Sequence, residues 1–536
     1  MKRLQLYAPG LLLLLALIIM WIPWLGETLF YSKGEPREAL VAVSMLQQGD
    51  WVLPATCGTD IPYKPPFLAW IIAILASVLN DGVVNEFISR LPSALAAIGL
   101  VMGTYVWARK ARGERFALIM SVVLATSVEF YRAATACRVD MVLTACMVGA
   151  MYLIFDLFDK KKINWLRYTA TVLLLSGAVL TKGPVGALLP CLAMGIYFLL
   201  HGERFFPTLG RLTLLCIVSF LLPALWYYAA WLRGGNDFLG LVWEENIQRL
   251  AGTMPYESHV KPFWYNFVTI IIGLLPWTLL CIFALTKAGK FRMPRFSKMR
   301  PAALLSFTAT IVIVGFYCIP ASKRSVYLLP AYPFMAYGIA VLAESLTRTR
   351  INKAYTYVIA VIAVAAPVAL LVNCIVPLTR YEFDIVGWWA YPLLLLPIVT
   401  TAIVLKRCDI RKIAGACIIT LSILTTYGGA IMPGTMNQLS DKPDAARLAE
   451  MAGDRGIYIV GDSKHFANIY AVNYYLDDRV RRIDNASEAD TCAVGTVLVF
   501  VNEPDTVGLP ASYSLRQLKP RLSDTRREAF YAVKVK

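Results

Sequence analysis

The sequence predicts a polytopic α-helical membrane protein with a small α/β domain at its C-terminus. Composition points there first: of 536 residues, 58% are hydrophobic and only 16% charged. Soluble domains carry nearer a quarter charged residues and break a chain of this length into several cores. The apolar residues also come in long uninterrupted runs, and the pattern changes to short alternating strands after residue 431. A formal net charge of +17 would suggest nucleic acid in a soluble protein. In a membrane protein it follows from the enrichment of Lys and Arg in cytoplasmic loops, so no nucleic-acid partner is expected.

The first apolar run, residues 11–25, follows Lys2 and Arg3 as a signal peptide would. Trp21, Pro23 and Trp24 stand where the small residues of a cleavage site belong, so the run reads as an uncleaved first span. A bilayer core needs roughly 20 apolar residues as helix. Runs of that kind centre on 10–27, 91–108, 115–131, 140–158, 168–181, 184–200, 212–231, 264–286, 302–319, 328–345, 355–377, 388–405 and 413–431, about thirteen spans.

Parity assigns the shorter stretch Phe67–Leu79. With the N-terminus inside, the first span ends outside, whereas "WARKARGER" belongs inside by its positive charge. Residues 91–108 make that crossing alone, so Phe67–Leu79 is expected to lie in the interface or to dip and return. The loops "DKKKINWLR", "KAGKFRMPRFSKMR", "TRTRINK" and "KRCDIRK" then all fall inside. The C-terminus falls outside. The domain boundaries read as 1–431 for the membrane part and 432–536 for the outer domain, in which "GIYIVGD", "RVRRID", "TVLVFV" and "EAFYAVKVK" are strands around a helix at 466–476. The Gly461-Asp462 turn is a weak nucleotide-site signal, since no Gly-rich loop follows it.

Most of the eleven cysteines sit inside apolar runs as small hydrophobes. Cys57 and Cys137 lie outside them and offer one disulfide pairing. With three histidines in the chain, a histidine-rich metal site is excluded.

The cations that break the positive-inside rule share the outer side. Glu35 and Arg37 follow the first span, and Lys64 precedes the re-entrant stretch. Arg138 and Asp140 open the span at 140–158, and Lys182 sits in the turn "LTKGPVG". Arg249 and His259 lie in the loop 232–263; Lys323, Arg324 and Tyr327 begin the span at 328–345. Plainer readings exist singly: Asp140 as a helix N-cap, Lys182 as a headgroup-depth turn residue, Lys323 and Arg324 as snorkelling side chains. Together the group suits an anionic, membrane-borne substrate such as a phosphate carried on a lipid. Lys and Arg would hold the phosphate, and a carboxylate would take a proton from an attacking hydroxyl.

The order "GEPRE…LQQGDWVLP…YKPPFLAW…SRLPSALAA…RVDMVLT…LTKGPVG…SKRSVYLLPAYPFMA" resembles the C-type (GT-C fold) glycosyltransferase superfamily. It is most similar to the branch of dolichyl-phosphate-mannose–protein mannosyltransferases and the lipid A aminoarabinose transferase. The resemblance implies about thirteen transmembrane helices, interfacial helices in the first outer loop and a C-terminal outer domain. It implies an Asp-Glu-x-Arg pattern in that loop, present here as Gly34-Glu35-Pro36-Arg37, so that Glu35 is the remaining acid. The Glu-Lys-Pro of the lipid A enzyme appears as Tyr63-Lys64-Pro65. Asp140 matches the second acidic position, and Lys182 and Lys323 match lysines near the lipid phosphate.

The function expected from these readings is an inverting transfer of sugar from a polyprenyl-phosphate donor. The acceptor would be lipid A, another glycolipid, a glycan or a protein on the outer face of the inner membrane. Glu35 and Asp140 are the candidate catalytic residues. Arg37, Lys64, Lys182, Lys323 and Arg324 are the candidate phosphate ligands. Tyr63, Arg138, Arg249, His259 and Tyr327 are candidate substrate contacts. No metal or other cofactor is expected. A transporter or flippase of lipid-linked sugars and a glycan polymerase or ligase are the rival readings. A transporter would commonly show an internal repeat, and a polymerase a large late outer loop; neither feature is present in the sequence.

Overall fold

The computed structural model describes residues 2–535 except 63, 159–163, 252, 254–259, 286–298, 348, 376–382, 461–468, 484–487, 489–491, 501–511 and 518–529. Tyr63, His259 and the Gly461-Asp462 turn therefore lie outside the described residues. Among those described, eight helices are long and apolar enough to cross a membrane, or ten if each of two bent pairs makes one crossing. They coincide with ten of the expected spans. The other three spans, at 10–27, 168–181 and 184–200, are also helical: α1 (Lys2–Trp21), Trp165–Lys182 and Val185–Leu200. Among the described residues, length and composition by themselves establish eight to ten of these crossings.

Two compact units divide the chain: residues 1–25 with 90–434, and 26–89 with 435–536. The segment 26–89, read from the sequence as an outer loop within 1–431, thus packs with the C-terminal segment.

In the second unit the outer loop contains two helices, α2 (Gly34–Gln48) and α3 (Phe67–Leu79). Glu35 sits in the first turn of α2, where a carboxylate complements the helix dipole, and Gly49 ends the helix at φ 66°. With 13 residues, α3 is too short to span a bilayer core of about 30 Å. The C-terminal segment forms β1 (Ile457–Val460), β2 (Val480–Ile483), β3 (Val497–Phe500), β4 (Tyr513–Gln517) and β5 (Phe530–Lys534). Their order is β2-β1-β3-β5-β4, with β1 parallel to β2 and β3, and β5 antiparallel to β3 and β4. The helices Lys442–Ala452 and Ile469–Tyr475 accompany this sheet, whose core holds Leu448, Ile457, Ile459, Val480, Val497 and Tyr531. β4 was absent from the sequence reading because Ser514, Arg516 and Gln517 dilute its apolar pattern.

Buried hydrogen bonds sew the outer loop to this domain. Asp478, 1% exposed, accepts from the Ser44 hydroxyl at 2.8 Å, the Cys57 backbone N–H at 2.9 Å and the Asn473 amide at 2.7 Å. Asp478 holds φ 56°, a left-handed conformation that Asp tolerates better than most residues. The Tyr475 hydroxyl accepts from Phe30 N–H and donates to Glu86, each at 2.9 and 2.8 Å respectively. Cys57 and Cys137 are both buried, and no disulfide joins them. Burial, with Asp60 and Asp478 nearby, pushes the Cys57 thiol up to about 12, so it stays protonated.

In the first unit, α4 (Glu86–Arg112), α5 (Glu114–Ala125), α6 (Val128–Ala134), α7 (Val139–Phe158), α8 (Trp165–Lys182) and α9 (Val185–Leu200) follow one another. The turn between α8 and α9 is the "LTKGPVG" motif. Gly183 has φ +86°, and a Cβ there would lie 2.5 Å from Asn246 Oδ1; one on Gly186 would lie 2.5 Å from the Ala178 carbonyl. These glycines permit a closeness no side chain would allow.

Broken helices within an apolar bundle must satisfy their freed backbone groups. The pair Glu114–Ala125 and Val128–Ala134 bends by 71°, and Tyr265–Gly273 and Trp277–Leu285 by 105°. The two breaks face each other: Val128 N–H donates to Leu275 O at 3.0 Å, and Trp277 Nε1 donates to Thr126 Oγ1 at 3.0 Å. The helix Phe205–Trp243 runs on past the expected span at 212–231 and bends at Gly235 (φ 53°). Phe238 consequently returns to within 5.8 Å of the Trp226 ring.

Candidate active site

The sequence "GEPRE" opens α2 so that Glu35 and Glu38 stand one turn apart. Glu35 is 4% exposed. Arg37 Nη2 donates to Glu38 Oε1 at 3.2 Å, and Lys64 Nζ donates to the same oxygen. Lys64 reaches it from the segment before α3, where Pro65 and Pro66 keep the chain out of a helix. Burial alone would raise the Glu38 carboxyl, but the Lys64 and Arg37 charges hold it below the usual glutamate value of 4.5. Glu38 was not a candidate in the sequence reading. It had no motif of its own, and its pairing depends on a lysine 26 residues away. With Tyr63 in place of the acid expected before Lys64, the carboxylate that Lys64 meets comes from α2 instead.

In the first unit, a second cluster forms where α7 starts and α8 ends. Asp140, in the first turn of α7 and 7% exposed, accepts from Lys182 Nζ at 2.5 Å. The Lys182 ammonium lies 4.0 Å over the centre of the Tyr327 ring, a favourable contact for a desolvated cation. Beside the turn, Gly183 faces Asn246 and Tyr227, two residues the sequence reading did not single out. The Tyr227 hydroxyl is buried with no hydrogen-bond partner among the described residues. The structure thus brings Asp140, Lys182 and Tyr327 together. Arg249 is engaged one turn back along its own helix, pairing with Glu245 at 2.6 Å.

The segment 317–325 is pinned by neighbouring stretches of chain. Lys261 N–H donates to Ala321 O at 3.2 Å, Val260 bridges Ser322, and the buried Asn266 amide donates to Tyr317 O at 2.8 Å. Arg132, held by Glu129 at 2.6 Å, reaches Ser325 at 3.3 Å. This clamp buries Lys323 to 5% exposure. Its ammonium donates to Pro320 O at 2.5 Å and meets no carboxylate among the described residues. Arg138 and Arg324, both half-buried, likewise pair with no carboxylate among them. Removing a cation from water without a counter-charge costs several kcal/mol, a cost an anionic ligand would offset.

Residues 63–227 match the family model described as dolichyl-phosphate-mannose-protein mannosyltransferase. An uncharacterized protein of Aquifex aeolicus is 28% identical over 390 residues, 72% of this chain and 73% of its own length. The undecaprenyl phosphate-alpha-4-amino-4-deoxy-L-arabinose arabinosyl transferase of Aeromonas salmonicida is 27% identical over 339 residues, 62% of this chain and 59% of the transferase. The match therefore spans less than two thirds of that transferase. The crystal structure of ArnT from Cupriavidus metallidurans bound to undecaprenyl phosphate superposes with a TM-score of 0.74 at 19% identity, covering 98% of each chain. The fold is the GT-C fold of that protein.

Proposed function

We propose that this chain, which carries the GT-C glycosyltransferase fold and resembles its lipid A aminoarabinose transferase branch, is an integral-membrane glycosyltransferase. It moves a sugar from a polyprenyl-phosphate donor of the undecaprenyl type to a lipid A-type acceptor on the outer face of the inner membrane. The C-terminal domain lies on that outer face. The observation that carries this reading is Lys323, whose ammonium is buried against a single carbonyl with no carboxylate among the described residues. A lipid phosphate is the counter-charge it suits. The matches of residues 63–227 and of the arabinosyl transferases support the same reading.

In this mechanism Lys323, Arg324 and Lys182 hold the donor phosphate, and Arg37 and Lys64 are further candidates for it from the sequence. Arg138 and Tyr327 line the substrate's approach, and Arg249, tied to Glu245, shapes the loop beside it. Asp140 orients Lys182, and Glu38 orients Arg37 and Lys64. The acceptor hydroxyl attacks the anomeric carbon and gives its proton to Glu35. The bond from that carbon to the phosphate oxygen breaks, its electron pair leaves with the phosphate, and the anomeric centre inverts. The cations stabilise the charge gathering on the leaving oxygen. No metal enters this displacement.

The test is transfer of radiolabelled sugar from a synthetic polyprenyl-phosphate donor by protein purified in detergent, with and without chelator. Product in both conditions is expected. Movement of the donor across proteoliposome membranes without any transfer would favour the transporter instead. A C-terminal reporter active only outside the inner membrane checks the orientation.

A further inference from the structure

Asp140 lies in the first turn of α7 and Asp156 close to its last residue, Phe158. At 1.5 Å per residue the two are about 24 Å apart, so Asp156 marks the opposite end of the bundle from the Lys182 cluster. Around it α4, α7, α9 and the helix Pro301–Cys318 enclose a cavity of about 560 Å³. This lies beyond the site assigned to sugar transfer, and none of its lining residues belongs to that machinery.

The cavity has an aromatic wall and a charged rim of both signs. Trp107 meets Phe155 edge-on at 5.9 Å, and Tyr197 stacks on His201 at 5.6 Å. On the rim, Lys110 pairs with Asp156 at 3.2 Å. Arg300 and Glu203 are exposed and pair with no opposite charge among the described residues. Trp107 is 6% exposed, lines the cavity, and its indole N–H finds no acceptor among the described residues. Pro301 and Ala302 also line it, so the N-terminal end of an 18-residue helix opens there. Such an end favours an anion.

Depth narrows the ligand class. The apolar stretch of α4 gives way to Arg109, Lys110 and Arg112, and that of α9 to His201 and Glu203. Tryptophan and charge side by side at the end of apolar helices mark headgroup level. A soluble anion would leave the aromatic wall and Glu203 unmatched, and a purely anionic lipid would set its charge against that carboxylate.

We infer that this cavity binds the zwitterionic headgroup of an aminophospholipid. Its phosphate lies against Arg300, the Trp107 N–H and the 301–318 helix N-terminus; its ammonium lies against Glu203 and the aromatic faces. The Lys110–Asp156 pair bounds the site without competing for either charge.

Native mass spectrometry of the delipidated full-length protein tests this with dioleoyl-phosphatidylethanolamine, its N-acetylated form and dioleoyl-phosphatidylglycerol. The wild type is expected to retain phosphatidylethanolamine over both of the others. Arg300→Ala and Glu203→Gln are each expected to lower that retention about tenfold, the scale of one charge-assisted bond, with helicity by circular dichroism unchanged. Equal retention of all three lipids by the wild type overturns the assignment, as does an undiminished preference in the double variant. Sugar transfer by the same variants is read in parallel and is expected to persist. A lipid preference lost with transfer intact therefore separates this site from the reading of the reaction.

Discussion

Glu38 holds Arg37 and Lys64, and Asp140 holds Lys182, so both carboxylates position cations. The Lys64 and Arg37 charges lower the Glu38 carboxyl and make it a weaker base. Glu35→Gln keeps size and hydrogen bonding while removing basicity, and is expected to slow transfer on the order of a hundredfold or more with donor binding retained. Asp140→Asn is expected to weaken donor binding instead, because Lys182 loses its anchor. Steady-state kinetics against donor concentration separates the two; a dead Asp140→Asn beside a normal Glu35→Gln would move the base to Asp140. Glu38 offers a pH test. Because its folded carboxyl titrates below the usual 4.5, its ionised form contributes stability that is present above that value and lost as pH falls through the folded one. Thermal unfolding of wild type and Glu38→Gln from about pH 7 to about pH 3 should show a gap that is largest near neutrality and closes in acid. Glu38 was visible in the sequence only as one charge among several beside Arg37. Its role depends on Lys64 folding back from before α3, which no local pattern reports.

At the scale of elements, the α8–α9 turn joins sequence to site most directly. "LTKGPVG" was legible as a tight turn, but not as a surface that needs Gly183 for contact with Asn246. Gly183→Ala places a Cβ 2.5 Å from Asn246 Oδ1 at φ +86°. Strain of this kind costs about 1–3 kcal/mol. The variant is expected to unfold at lower temperature and to bind donor more weakly, because Lys182 precedes the strained residue. Unchanged unfolding and donor affinity would show that the turn relaxes freely. The bent helix pairs show the opposite case: hydropathy located the apolar runs at 115–131 and 264–286 but not their bends. The bends are tied together by Leu275 O, which accepts from the Val128 N–H freed at one break, and by Thr126 Oγ1, which accepts from the Trp277 indole.

At the scale of the whole molecule, the division into units decides which parts fold together. Residues 26–89 share a unit with 435–536, and Asp478 is the buried hub of that union. Asp478→Ala leaves the Cys57 N–H and the Asn473 amide without their acceptor, at about 1–3 kcal/mol for each buried group left unsatisfied. Faster proteolysis within both 26–89 and 435–536 is expected, together with loss of transfer, while the 90–434 bundle stays inserted. Cleavage confined to the C-terminal segment would mean that the outer loop holds its shape without it.

The sequence by itself determined the membrane class, the positions of the apolar helices, the strands β1, β2, β3 and β5, and the set of ionisable residues kept on one predicted side. These are local properties: hydropathy over about 20 residues and alternation over a few decide them wherever the chain goes. Only the tertiary structure decided that Lys64 meets Glu38, that Lys182 lies between Asp140 and Tyr327, that Lys323 is buried, and that the first outer loop belongs with the last hundred residues. Those outcomes rest on partners 26, 42 and up to 445 residues apart. A buried charge or polar group takes the neighbour that folding brings within hydrogen-bond reach, and no residue pattern near it names that neighbour.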